Sequence, residues 1–547
     1  MPRWASQWSW VPRATSAHAA SAGDPPRSYR DMELGEPWHA SVEARRRDQE
    51  GSPMSEMQSG VHQVRFGSGT ARIVLLVTIL ASGMAFLDGT IVNVALPRIE
   101  EDLGGGLATL QWVLNAYMLT LGALVLVGGS LGDLLGIRRV FGWGVAGFAV
   151  TSVMCALAPT APLLIAGRAL QGVSAALMVP GSLALISSLF VPEQRGRAIG
   201  LWSGLSGVAT ALGPVIGGLL VDMGGSGWRW AFLAKLPLAA IVLLLLPKVP
   251  AVPGTRTAAP IRSQLDLMGA FLTVAGLALL VAPLTEVERL GRPLTAALTL
   301  LGAVFLVAFW VLEKRRQSTG RPAPMMPPSL WQIRSFSVAN VVTFVVYGAL
   351  SSVIFLLTLA LMIGLGWSAL VTGLATLPMT IMLAVFSGKV GSLVPRFGAR
   401  PLLTLGCVLM TVGIFMLAYL PTDPSYWTEV FPGVMVFSAG MTLIVAPITT
   451  TALGDIPVAS SGVGSGVNNA VARIGGLVTV AVIPVLAGLA GITADVGLAV
   501  MPGYNRATII TAAVCAVGAV VSWFGFHPDT GTTSASVAVP SPSPAAT

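Results

Sequence analysis

A carboxylate inside an apolar run is the first residue here that could do chemistry. In AFLDGTIVNVALPRI, residues 85–99, Asp88 is surrounded almost wholly by apolar side chains. A charge near a bilayer centre costs at least about 2.5–3.5 kcal/mol on insertion scales, so such residues are usually paired and functional. Within the first six apolar segments, Arg168 in RALQG (168–172) is the other full charge far from both ends of its run. A guanidinium keeps its proton in a protein. It would supply a fixed positive charge beside which Asp88 can gain or lose a proton; a static ion pair holding two helices together is the alternative. Counted from the outer ends of their segments, Asp88 lies about 12 Å deep and Arg168 about 9 Å, at 1.5 Å per residue. Tyr117 shares that depth on a third segment. Asn93, Asn115 and Gln171 are the other polar residues expected to line a cavity there.

The elements that must position these groups follow from composition. Of 547 residues, 54% are hydrophobic and 10% charged, whereas soluble domains carry about a quarter charged residues. That implies an all-α polytopic membrane protein. Fourteen apolar segments each approach the roughly 20 residues a spanning helix needs. They run over 73–96, 111–131, 140–158, 162–188, 198–222, 231–247, 267–285, 295–312, 335–362, 370–393, 402–420, 429–451, 463–488 and 504–526.

Several function classes are disfavoured at once. His18, His39, His62 and His527 all lie in the tails, so neither a membrane histidine relay nor a Ser-His-Asp triad can be assembled. No GxxxxGK[ST] phosphate loop is present. Cys155, Cys407 and Cys515 are far apart inside apolar runs, with no disulfide or metal-ligand spacing. An enzyme is therefore not expected, nor a metal or other cofactor, and the energy source would be a proton gradient. The net charge of +8 is spread over short loops rather than one face, which fits a bilayer and not nucleic acid. A monomer is expected.

Residues 1–70 read as a disordered cytoplasmic tail, with Met1, Met54 and Met57 all possible starts, and 528–547 as a second tail. Between them the chain divides into a six-helix bundle (71–250), a two-helix insertion with its flanking loops (251–330) and a second six-helix bundle (331–527). The loops that hold Arg138, Arg139, Arg195, Arg197, Lys248, Lys314, Arg315, Arg316, Arg396 and Arg400 would face the cytoplasm, because basic loops stay inside. The loops of the opposite side hold more acids than bases. Both termini would then be cytoplasmic. The two bundles are repeats: GSLGDLLGIRRVFGWG from Gly129 and GSLVPRFGARPLLTLG from Gly391 share six of sixteen residues without a gap. Repeated halves around a central site are the architecture of secondary transporters.

On LDGTIVNVALP (87–97), GSLGDLLGIRR (129–139), RALQG (168–172) and GPVIGG (213–218), the chain resembles the major facilitator superfamily. The fourteen segments, GWRWAF (227–232) and GVGSGVNNAVARIGG (462–476) resemble its fourteen-helix drug:proton antiporters. The resemblance spans about residues 70–527 and implies a major facilitator fold of 6+2+6 helices. It implies a bacterial plasma-membrane exporter of small amphipathic drugs or metabolites, hence antibiotic resistance. An uptake symporter on the same fold and a non-transporting membrane sensor are the rivals. It also implies a cytoplasmic gate motif at Gly129, Asp133, Gly136, Arg138 and Arg139, in which Asp133 latches onto the other half. Leu134 and Ile137 stand where relatives often carry basic residues, and Pro395 replaces the aspartate in the second copy. The antiporter motif falls on Gly200, Gly213, Pro214, Gly217 and Gly218, with Ala209 where a further glycine is usual. Lys235 stands where relatives usually have asparagine. It is expected to snorkel toward the membrane surface or to face the cavity mouth.

Overall fold

The computed structural model describes residues 63–526, apart from 253, 255–264, 320–323, 458–459 and 491–493. The four histidines, Met1, Met54, Met57 and the stretch 528–547 lie outside the described residues. Of the stretch 1–70 expected to be disordered, residues 63–70 are described and packed. Val64 bridges to Phe190, its N–H donating to the Leu189 carbonyl at 2.7 Å, and the Phe66 N–H donates to Gln194 Oε1 at 2.6 Å.

Among the described residues, fourteen helices are long and apolar enough to cross a membrane. They are α1 (Gly69–Leu103), α2 (Gly106–Leu135), α3 (Ile137–Ala156), α4 (Ala161–Leu189), α5 (Glu193–Val221), α6 (Gly227–Lys248), α7 (Leu267–Thr285), α8 (Arg292–Thr319), α9 (Arg334–Gly364), α10 (Ala369–Gly391), α11 (Ala399–Leu417), α12 (Tyr426–Gly454), α13 (Ser461–Leu486) and α14 (Gly497–Gly525). Helices are the form such runs must take, because hydrocarbon offers the backbone no hydrogen-bond partner. Side chains start several of them: the Ser68 and Ser368 hydroxyls and the Asp266 carboxylate each accept a first-turn N–H.

The first six helices and the last six pack in the same way. In each set the second helix lies on the fourth or the third on the fourth, and the first lies on the fifth. The repeat is visible in the backbone too: Gly136 and Gly398, equivalent in the two motif copies, both have positive φ, +95° and +79°. Small residues set the spacing. At Gly172 of α4 a Cβ would collide with the Tyr117 carbonyl of α2 and with Thr120 Oγ1. That close approach brings α2 and α4 together where Arg168 and Tyr117 stand.

The two halves meet through symmetric pairs, α5 on α10 and α2 on α13. The inserted pair does not stand apart. Leu277 and Val281 of α7 pack with Leu119 and Ala123 of α2 and with Leu477 and Ala481 of α13, so α7 lies over one seam between the halves. The α7–α8 loop is tied down as well, because Trp112 Nε1 of α2 donates to Glu286 at 2.9 Å.

α1 is 35 residues long, about 52 Å at 1.5 Å per residue. It runs seven residues past the expected end at 96, and the overhang is held in place. Trp228 Nε1 of α6 donates to Asp102 at 2.6 Å, and Glu100 accepts from the Gly106 N–H that opens α2. Asp88 is therefore fifteen residues before the helix end at Leu103 rather than eight.

Candidate functional site

Five of the first six helices converge on Asp88. Its Oδ2 accepts from Arg168 Nη1 of α4 at 2.6 Å, and its Oδ1 is paired with Lys235 Nζ of α6. Arg168 is held on all sides. Its Nε donates to the Val113 carbonyl of α2 at 2.9 Å, its Nη1 also donates to Gln171 Oε1 at 2.6 Å, and its guanidinium carbon stands 4.4 Å from the Tyr117 ring centroid. Gln171 Nε2 in turn donates to Ser152 Oγ of α3 at 2.8 Å. Lys235 Nζ lies 4.7 Å from the Phe232 ring centroid and 5.8 Å from that of Phe148. Asp88 is 0% exposed, and Arg168 and Lys235 are each 1% exposed. The group is one carboxylate clamped between two cations, sealed from water and ringed by aromatic faces. Cation–π contact and charge-assisted hydrogen bonds offset part of the cost of burying it.

Lys235 corrects the expectation that it snorkels. It stands at a break in α6, between the helical stretches Gly227–Leu233 and Leu236–Leu245. Pro237 is the local cause, because its ring leaves no N–H and crowds the preceding turn. α6 also starts four residues earlier than the apolar run suggests, which sets Lys235 deeper. The signal available in the sequence was charge balance, since a second cation in the same half had no other buried acid to meet.

The remaining candidates separate. Tyr117 and Gln171 join Arg168, as described. Asn93 is buried but turns to its own helix, its Nδ2 donating to the Gly89 carbonyl at 2.7 Å. Asn115 is fully buried, and neither of its amide atoms, nor the Tyr117 hydroxyl, has a hydrogen-bond partner among the described residues.

The glycine motif of α5 works at one end of the seam between halves. At Gly213 and Gly217 a Cβ would meet Thr90 and Ile91 of α1; at Gly218 it would meet the Ala369–Leu370 backbone of α10. At Gly373 of α10 it would in turn collide with the Pro214 carbonyl. Asp222, which follows α5, accepts from the Ala369 N–H at 3.2 Å and the Leu370 N–H at 2.8 Å. It thus neutralises the N-terminus of a helix in the other half. At the opposite ends of the same two helices the picture reverses. Gly200, Gly204, Gly207 and Gly388 have nothing within 4 Å of where a Cβ would stand. The α5–α10 packing is tight at the Asp222 end, and the glycines of the other end border open space, while Leu126 of α2 still meets Gly466 of α13 across the second seam.

The loop motif lies at the Gly200 end. Gly136 makes its turn, and Arg138 donates to the Val249 carbonyl at 2.7 Å, beyond α6. At Gly254 a Cβ would collide with the Leu134 carbonyl. In this conformation Arg138 and the Leu134 backbone pack on the chain just beyond α6, and Asp133 and Arg139 stand at the surface. Gly129 faces Pro180 of α4.

The family model described as Major Facilitator Superfamily matches residues 78–480. The chain belongs to the Major Facilitator Superfamily. A probable actinorhodin transporter of Streptomyces coelicolor is 35% identical over 414 residues, covering 74% of this chain and 70% of that one. The puromycin resistance protein pur8 of Streptomyces alboniger is 33% identical, covering 82% and 90%. The multidrug resistance protein Stp of Mycobacterium tuberculosis is 34% identical, covering 75% of each. These relatives and the fourteen spans put the chain in the drug-exporter branch of the superfamily. Among solved structures, a POT family transporter in complex with a thioalcohol-conjugated peptide superposes with a TM-score of 0.63 at 12% identity, covering 85% of this chain and 98% of that one. The xylose transporter XylE of E. coli, in a partially occluded inward-open conformation, gives 0.55 at 14%, covering 83% and 98%. These two likenesses concern the fold.

Proposed function

We propose that the chain exports small amphipathic compounds from the cell in exchange for protons, by alternating access. The observation that carries this reading is the sealed Asp88–Arg168–Lys235 group, an ionisable cluster in the half that pivots at α5. A static pair needs one partner for the carboxylate. With two cations on one carboxylate the group carries a net charge of one, and it can lose a proton without leaving a buried charge unpaired. The energy scale suffices: one proton crossing 100 mV releases about 2.3 kcal/mol, enough to hold roughly a 50-fold gradient of a neutral solute. The relatives support export over uptake, since their names record resistance and efflux.

Basic loops on the Gly200 side make that side cytoplasmic, with both termini there. In the described conformation the α5–α10 seam then opens inward, and closure of the Gly200 end with parting of the Asp222 end completes the cycle. No cofactor is needed, and one chain suffices. Asp88 already carries two cations, and no second carboxylate lies near the middle of α10. That favours neutral, zwitterionic or monocationic substrates over dications. The test is an antibiotic and dye susceptibility panel in an efflux-deficient host, followed by transport driven by an imposed pH gradient in everted vesicles. Wild type should protect and respond to the gradient, and Asp88→Asn should do neither. Undiminished gradient-driven export by Asp88→Asn would overturn the assignment of the site.

A further inference from the structure

We propose that the exchanged proton rides on Lys235, while Asp88 stays ionised throughout the cycle. This inference rests on the proposed function. It starts from the hydrogen-bond geometry. Asp88 Oδ1 and Oδ2 are each already occupied by a cationic N–H donor, Lys235 on one side and Arg168 on the other. Each oxygen keeps a further lone pair, but a proton bound there would cancel the charge that holds both donors and leave two buried cations without a counter-charge. Lys235 faces no such obstacle. Its ammonium has three N–H bonds, and after losing one proton the amine still has N–H groups to donate to Oδ1.

Charge counting points the same way. The guanidinium stays charged, so with all three groups ionised the cluster carries one net positive charge. Loss of a proton from Lys235 takes it to zero, whereas gain of a proton by Asp88 takes it to two. The cost of keeping net charge out of water rises about as its square. The step between zero and one is therefore the accessible one. Nothing else facing the ammonium alters this count. The rings of Phe148 of α3 and Phe232 of α6 and the Cys155 thiol of α3 face it uncharged, and its charged neighbours among the described residues are Asp88 and Arg168; Arg473 of α13 acts on Tyr117, which lies against Arg168, rather than on the ammonium. The break in α6 at Lys235 adds a means of movement, because the residue is not locked into a continuous helical turn. In balanced form, the ammonium gives one proton to water at the open face and becomes an amine. After the seam reverses, the amine takes one proton from water on the other face.

Asp88→Asn stops coupling whichever group carries the proton, so the deciding variants are at position 235. The purified full chain in liposomes is taken from acid to alkaline pH without substrate, and released protons are counted against Lys235→Arg, a fixed charge, and Lys235→Gln, a neutral isostere. Wild type should release one more proton than either variant. Infrared difference spectra over the same range should show no protonated-carboxyl stretch that disappears in Asp88→Asn. Equal proton release by wild type and both variants, or an Asp88-dependent carboxyl band, would overturn the inference. Using one charged and one neutral variant guards against a folding defect in one. Failure of the proposed function would appear elsewhere, as wild-type export indifferent to a pH gradient, because the proton count needs no substrate.

Discussion

At Asp88 the two oxygens and two cations make the site sensitive to removal of any member. Breaking a buried pair by deleting one partner typically costs about 3–5 kcal/mol, because a charge is left without compensation. Asp88→Asn strands both Arg168 and Lys235, and thermal unfolding in detergent should show a loss of that order. The double variant Asp88→Asn with Lys235→Gln removes the extra cation. It should recover much of the lost stability while remaining unable to use a pH gradient, which separates folding from coupling. Arg168→Lys keeps the charge but not the fork. A lysine cannot reach Asp88, Gln171 and the Val113 carbonyl together. Loss of a hydrogen bond to a charged group costs about 1.5–3 kcal/mol, so the same melt should fall by about that much, and export should fall with it.

At the scale of helices, α5 and α10 form the contact whose making and breaking would define the two faces. Gly218 lies against the Ala369–Leu370 backbone, so Gly218→Leu cannot be accommodated without separating the helices at that end. Spin-label distances across the Asp222 end should lengthen in this variant, and transport should fail. Asp222→Ala is the milder probe. A carboxylate capping a helix N-terminus contributes about 0.5–2 kcal/mol, and every 1.4 kcal/mol is tenfold in an equilibrium. The same distance measurement should show a shift of roughly twofold to thirtyfold toward the conformer parted at the Asp222 end.

At the scale of the whole molecule, the inserted pair is part of the moving machinery. α7 touches α2 in one half and α13 in the other through Leu277 and Val281. If the halves rock, α7 must slide over at least one of them. Cysteine cross-links that fix α7 to α2 and to α13 together should therefore halt transport, whereas links between α7 and α8 should leave it intact. Transport readout before and after reduction checks both. Equal loss from both links would mean that the insertion moves within itself.

Much of this architecture was legible in the chain before any coordinates. Apolar runs of spanning length, a repeated motif and loop charges are local properties, and a medium without hydrogen-bond partners leaves them one solution, the helix. The pairing of Asp88 with Arg168 was legible for a similar reason, because two buried charges of opposite sign in one half have to meet. Equal depth was counted from run ends, but α1 extends seven residues further, held by Trp228 and Glu100. What the sequence could not decide is where a helix ends when its overhang is held by a distant side chain, and which way a long side chain turns. Lys235 could have reached the membrane surface or Asp88, and local sequence weighs both alike. The burial of Asp88 decides it, since a second cation satisfies its remaining oxygen. The open and tight ends of the α5–α10 seam are likewise tertiary facts, because the same glycines can serve either face and only packing of one half on the other selects between them.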